Sequence, residues 1–286
     1  MANLHEIKRR IVSVQNTQKI TRAMKMVAAS KLKRAQESIT LSRPYAHRMR
    51  TMVNNLALRA DVDGHPLLTK GQTSGRVGLV VIASDRGLCG AFNSSITNAA
   101  LDHIKSTFED RTVELTLVGK RAIELFQKQS QTVRDTYTDV HNEHMLQTAG
   151  TIMEGLSNAF VAGEIDEVYC LYNEFKSAIS QTVVLERILP FEATAVAEDE
   201  RTTDYLYEPD EERLFGSLLD RHMKVQMHRV LSESAASEHG ARMTAMESAT
   251  TNAGDMIDRL TLDYNRARQS AITTELIEVV SGAEAL

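Results

Sequence analysis

Apolar residues recur at alternating steps of three and four at both ends of this chain, while its middle reads as short apolar runs separated by amphipathic stretches. In the first 60 residues Leu4, Ile7, Ile11 and Val14, then Ala28, Leu32, Ala35 and Ile39, mark the seam of a helix lying against another helix. Gln18, Thr21 and Lys25 hold the intervening seam positions. The apolar residues there shift to Ile20, Met24 and Val27, which predicts a seam drifting sideways as a straight helix turns against a 3.5-residue repeat. Pro44 predicts a kink or a short break in this arm. After Pro209 there is no further proline and only Phe215 and Tyr264 are aromatic, so one helix is expected over residues 210–286. Those 77 residues make a rod of roughly 115 Å. Met246, Ala249, Ala253, Met256 and Leu260 predict its seam, with close approach of the partner helix at Ala249 and Ala253. Packed antiparallel, the longer C-terminal arm is expected to overshoot the first by about 19 residues, roughly 28 Å. Ile272, Leu276, Ile277, Val279 and Val280 would then sit on an unaccompanied tip.

Between the arms, residues 77–83 form a continuous apolar run of strand type, followed by a Gly-rich turn and an amphipathic stretch over 93–108. Residues 113–118, 121–127, 132–137 and 144–162 repeat the alternation, and 168–172 and 182–189 add two strands. The expected fold class is α/β: an antiparallel coiled coil of the terminal helices plus a central, mostly parallel sheet covered by helices. The expected domains are residues 1–60, 61–208 and 209–286, with linkers at 61–75 and 192–204.

Charge separates the arms further. Residues 1–60 carry 13 Lys and Arg against Glu6 and Glu37, whereas the whole chain is −5. So lopsided an arm implies an acidic partner. No run approaches the 18 or more apolar residues of a membrane span, and the N-terminus has no apolar signal core. Cys89 and Cys170 lack metal or CxxC spacing, which predicts neither a disulfide framework nor a zinc site.

The best candidate for chemistry is Ser84-Asp85-Arg86-Gly87-Leu88-Cys89-Gly90, a Gly-rich loop between strand and helix that could cradle phosphate on backbone amides. It lacks the spacing of a dinucleotide fingerprint or a P-loop lysine, and tight-turn packing explains it as well. Glu198-Asp199-Glu200 reads as a solvated charge run and not as a metal cluster. Glu208, Asp210, Glu211 and Glu212 around Pro209 read as helix-start signals. No catalytic, cofactor or metal site is expected, and a mechanical role is favoured. Two rivals remain: a nucleic-acid-binding coiled coil, disfavoured because Tyr45 is the first arm's only aromatic and the second arm is acidic, and a nucleotide-dependent enzyme using the loop.

Four stretches, in order along the chain, resemble the ATP synthase gamma family. They are residues 11–31 (IVSVQNTQKITRAMKMVAASK), the loop SDRGLCG at 84–90, DYLYEP at 204–209 and YNRARQSAITTEL at 264–276. The resemblance implies a rotor whose terminal helices stand as a coiled coil inside a ring of alpha and beta subunits. Its central domain would sit with an epsilon subunit on a membrane-embedded, proton-driven c-ring.

The same resemblance implies that Met24 and Lys25 pass acidic hinge loops of the beta subunits, and that Arg268, Gln269, Thr273 and Glu275 meet loops gripping the shaft higher up. Tyr205, Tyr207 and Glu208 would form the foot, against epsilon and the c-ring. No cysteine-bearing regulatory insertion of the chloroplast kind is present, since Cys89 and Cys170 stand 81 positions apart. No transit segment is expected before Leu4. The implied location is peripheral, on the cytoplasmic face of a bacterial membrane.

Overall fold

A computed structural model describes residues 4–59, 65–68, 75–140, 144–192 and 211–284. Ten elements follow in order: α1 (Leu4–Arg59), β1 (Arg76–Ile82), α2 (Phe92–Ser106), β2 (Thr112–Val118), α3 (Lys120–Phe126), β3 (Thr132–Tyr137), α4 (Met145–Val161), β4 (Glu167–Phe175), β5 (Gln181–Leu189) and α5 (Glu211–Glu284). The chain falls into two compact units. One comprises residues 1–28 and 242–286, the other residues 29–241.

The larger unit is built on a five-stranded sheet of order β3-β2-β1-β4-β5. All neighbours are parallel except β4 and β5, which pair antiparallel. β1 reads as an unbroken apolar run because both of its faces are buried. Val77, Leu79 and Val81 pack with Ile96, Ala100, Ala122 and Phe126 of α2 and α3. Val80 and Ile82 face the opposite layer, where Ile152, Met153 and Leu156 of α4 join Phe215, Leu219, Met223 and Met227 of α5 and Met49, Val53 and Leu56 of α1. The chain thus winds outward through β2 and β3, then returns past β1 to β4. That reversal creates a switch point between β1 and β4, where open α/β sheets usually bind ligands beyond the strand ends.

Pro44 does not break α1, which is helical throughout Leu4–Arg59. The residue is exposed, so the Thr40 carbonyl that loses its helical donor is open to water. Buried Ala35 and Met49 on either side hold the helix to the core.

Candidate functional site: the paired helices and the loop after β1

In the smaller unit α1 and α5 run antiparallel, and the seam of α1 largely keeps its register. Leu4, Ile7, Ile11, Val14 and Gln18 are half-buried, and Thr21 and Ala28 are buried. Of the three residues expected to carry the seam sideways, Met24 is half-buried, whereas Ile20 and Val27 are 61% and 57% exposed. The reason is a polar layer that α5 completes. The Thr21 hydroxyl meets the Thr250 hydroxyl at 2.7 Å, and Gln18 donates from Nε2 to the Thr250 carbonyl at 3.3 Å. With one proton each, one of the two hydroxyls donates across the pair while the other donates back to its own helix, Thr21 Oγ1 to Gln18 O or Thr250 Oγ1 to Met246 O. Lys25 Nζ reaches Glu247 Oε1 at 2.6 Å. With its hydrogen bonds supplied from across the interface, a threonine at 8% exposure costs little to bury, and the seam keeps its register. Gly254 gives Gln18 room, since a Cβ there would come within 3.2 Å of Nε2.

The α5 seam also differs in detail from the expected one. Met246 and Ala253 are buried, but Met256 is 52% exposed and Ile257 takes its place. From Met246 the buried side follows Thr250, Ala253, Ile257, Leu260, Tyr264, Ala267 and Ala271 in regular steps of four and three. Facing pairs Gln18 with Gly254 and Lys25 with Glu247 carry the described start of α1, at Leu4, to the level of Ala267 or Arg268. α5 continues to Glu284, some 16 residues or about 24 Å farther. There Ile272, Leu276, Ile277, Val279 and Val280 are exposed, forming an apolar tip.

The named contact candidates are placed as follows. Met24 is half-buried, and Lys25 is engaged with Glu247 of its own chain. Arg268, Gln269, Thr273 and Glu275 are all exposed, with Thr273 Oγ1 donating to the Gln269 carbonyl at 2.9 Å. Met24 lies about 20 residues, near 30 Å, along α1 from Leu4, so the two groups occupy different levels. Tyr205, Tyr207 and Glu208 lie outside the described residues, as do Glu198, Asp199 and Glu200. Lys8, Arg9, Lys19, Arg22, Lys31 and Arg34 are exposed and form no salt bridge with another described residue. Sequence reasoning missed Thr250, Glu247 and Gly254, although their spacing of three and four was available.

The loop after β1 is built for packing. Ser84 donates from Oγ to the Arg86 carbonyl at 2.6 Å, and Asn93 Nδ2 donates to buried Cys89 Sγ at 3.2 Å. Leu88 and Gly90 both hold positive φ, which gives the tight turn. Asp85 accepts the Lys120 amide at 3.1 Å on one oxygen and the Asp139 amide at 3.0 Å on the other. The Asp85 carboxylate thus ties this loop to the segments that follow β2 and β3. Across the crevice Leu231, Ser234, Ala235 and Glu238 of α5 close in, leaving a space of about 40 Å³. A small-molecule site needs roughly 300 Å³ or more. Side chains of α5 thus line the space beyond the ends of β1 and β2, opposite the loop. Among the described residues no group of three or more His, Cys, Asp or Glu is placed to hold a metal. Burial pushes the Cys170 thiol well above its usual pKa.

A family model described as ATP synthase matches residues 3–286. The ATP synthase gamma chain of Geotalea uraniireducens is 46% identical over 287 residues, covering 100% of this chain and 99% of the relative. That of Geobacter metallireducens is 47% identical with the same coverage. Among solved structures, a chain in the central stalk and c-ring of Tetrahymena thermophila mitochondrial ATP synthase is 28% identical, with TM-score 0.60, over 80% of this chain and 99% of that one. A chain in the Euglena gracilis mitochondrial ATP synthase, rotational state 3, shares the fold at TM-score 0.69 and 19% identity, over 99% of this chain and 94% of that one. Since the likeness to bacterial relatives spans both helical arms and the sheet domain between them, this chain belongs to the ATP synthase gamma chain family.

Proposed function

We infer that this chain is the central rotor shaft of a bacterial ATP synthase, coupling proton flow through a membrane ring to ATP synthesis or hydrolysis in the catalytic head. The observation that carries this reading is the α5 helix. It runs on past the described start of α1 and ends in exposed apolar side chains that a surrounding sleeve would cover. Kinship with a chain of a solved central stalk supports it. The partners are the alpha and beta subunits of the head, the epsilon subunit and the c-ring. The exposed cations of α1 suit acidic surroundings of that kind.

Residues 1–60 and 209–286 serve as shaft, and 61–208 as the domain that meets epsilon and the ring. Met24 and Lys25 pass the beta hinge loops, with Lys25 drawn from a contact it already makes to Glu247. Arg268, Gln269, Thr273 and Glu275 meet the loops that grip α5 higher up, and Tyr205, Tyr207 and Glu208 form the foot. The chain itself does no chemistry, a reading supported by the small space left between the loop after β1 and α5. No helix among the described residues is long and apolar enough to cross a membrane. The chain is held peripherally, at the cytoplasmic face, through the complex.

The test compares ATP-driven proton pumping with ATP hydrolysis in membranes carrying the whole complex. Met24→Lys adds a cation beside the Lys25–Glu247 pair and a contact that must break in every turn. About 1.4 kcal/mol in one angular well slows stepping tenfold, so pumping should fall before hydrolysis does. Cys89→Ala, at a buried packing position, should leave turnover intact. Normal pumping with Met24→Lys, together with lost hydrolysis in an assembled Cys89→Ala complex, would overturn the reading.

A further inference from the structure

The antiparallel strand β5 makes the sheet depart from its parallel pattern, and with β4 it lies along one face of α5. Three kinds of directed contact join them. Arg229 of α5 donates from Nη2 to both oxygens of Glu186 on β5, at 2.6 and 2.7 Å, and from Nη1 to the Tyr172 hydroxyl on β4 at 3.2 Å. Tyr172 in turn donates to Glu186 Oε2 at 2.8 Å, and Arg229 lies 6.0 Å from its ring centre. Glu233, one turn on, accepts from Arg229 at 3.2 Å. Next, buried Ser237 donates to the Asn173 carbonyl on β4 at 2.9 Å. Then comes Gly240, where an added Cβ would stand 3.2 Å from the Ala178 Cα and 3.3 Å from its carbonyl in the β4–β5 turn.

Positions 229, 233, 237 and 240 are spaced as one face of a helix. The buried apolar face of α5, Phe215, Leu219, Met223 and Met227, already resists rotation about the helix axis, but apolar packing is non-directional and specifies no single contact. A bidentate guanidinium–carboxylate pair fixes both angle and height, and a backbone-to-backbone contact at glycine leaves no slack. Burial opposes the charge on Arg229, yet Glu186 and Tyr172 hold its pKa above the ordinary guanidinium value, so the pair stays ionised.

We propose that the β4–β5 hairpin is the clasp through which the sheet domain transmits torque to α5, with Arg229, Glu186 and Tyr172 as its positioning residues and Gly240 as its seat. The proposal rests on the shaft reading.

The test uses the complete complex in proteoliposomes, with wild-type chain, Glu186→Gln, Arg229→Lys and Gly240→Val. Three quantities are read: ATP hydrolysis, the steady pH gradient it sustains, and the angular fluctuation of a bead held on the rotor with the head fixed. In assembled complexes the variants should keep hydrolysis, sustain a gradient several-fold smaller and show a several-fold larger angular variance. Arg229→Lys, which keeps the charge but loses the fork, should fall between wild type and Glu186→Gln. A residue that merely stabilises the fold would instead lower the yield of complex and leave the stiffness of what assembles unchanged. Unchanged stiffness and gradient in assembled Glu186→Gln and Arg229→Lys complexes would overturn the clasp. If Glu186→Gln prevents assembly, the milder Arg229→Lys decides by the same two readouts. Failure of the wild-type chain to rotate or couple at all would count against the shaft reading instead.

Discussion

His222 on α5 is 2% exposed, with Phe191 edge-on to its ring at 5.4 Å. Burial, helped by the charges of Arg50 and Arg229, lowers its pKa to about 4. A base whose folded pKa lies below its unfolded value stabilises the fold above the unfolded pKa and withdraws that support as pH falls. From about pH 6.5 to 4 the loss should approach 3 kcal/mol. His228, lowered by burial as well, adds in the same direction. Urea midpoints of the purified chain should therefore drop between pH 7 and 4.5, and His222→Leu should flatten that slope; an equal slope in the variant would show that other groups carry it. Gly119 is a second single-residue constraint. Its φ is 93°, and a Cβ there would fall 2.3 Å from the Ala83 carbonyl oxygen. Gly119→Ala should cost on the order of 3 kcal/mol or more in a melt of the purified chain, because both the backbone and the neighbouring strand end resist. In sequence this glycine resembles any turn residue, since the obstructing carbonyl comes from the next strand.

The paired helices hold most tightly where a small residue and a polar layer alternate. Ala253 is buried in the seam, so Ala253→Phe should destabilise the chain by about 1 to 3 kcal/mol through overpacking. An unchanged melting temperature would place the residue away from the interface. At the polar layer, Thr21→Val alone removes the group that the Thr250 hydroxyl meets across the interface, leaving it only the Met246 carbonyl, and should cost about 1 kcal/mol. Adding Thr250→Val should recover much of that loss, because two matched apolar groups desolvate nothing polar. A double-mutant cycle by thermal melts measures the coupling, and additive losses would mean that the hydroxyls do not depend on each other. Such layers sacrifice some stability for a single register.

At the scale of the molecule, stability and function separate along α5. Side chains from Ile272 onward are exposed where their burial is described, so deleting residues 273–286 should leave the melting temperature of the purified chain unchanged. A lowered melting temperature would show that the tip is packed in the isolated chain. The same deletion removes Thr273 and Glu275 together with most of the apolar tip, so coupling in the assembled complex should weaken while the fold survives.

The sequence by itself determined the element order and nearly every element boundary, because burial on one helical face or on both strand faces leaves a period that needs no knowledge of partners. Residues 132–137 read as a strand and are one. The overshooting apolar tip was equally legible, from arm lengths alone. Only the tertiary structure decided the polar contacts. Thr21 finds Thr250 across 229 positions, Arg229 finds Glu186 across 43, and Asp85 finds the Asp139 amide across 54. It also placed α5 in the crevice where the loop after β1 had suggested a ligand. Hydrophobic pattern counts what must leave water, whereas a buried hydrogen bond depends on which atom the folded chain brings opposite, and that is set by packing over the whole unit.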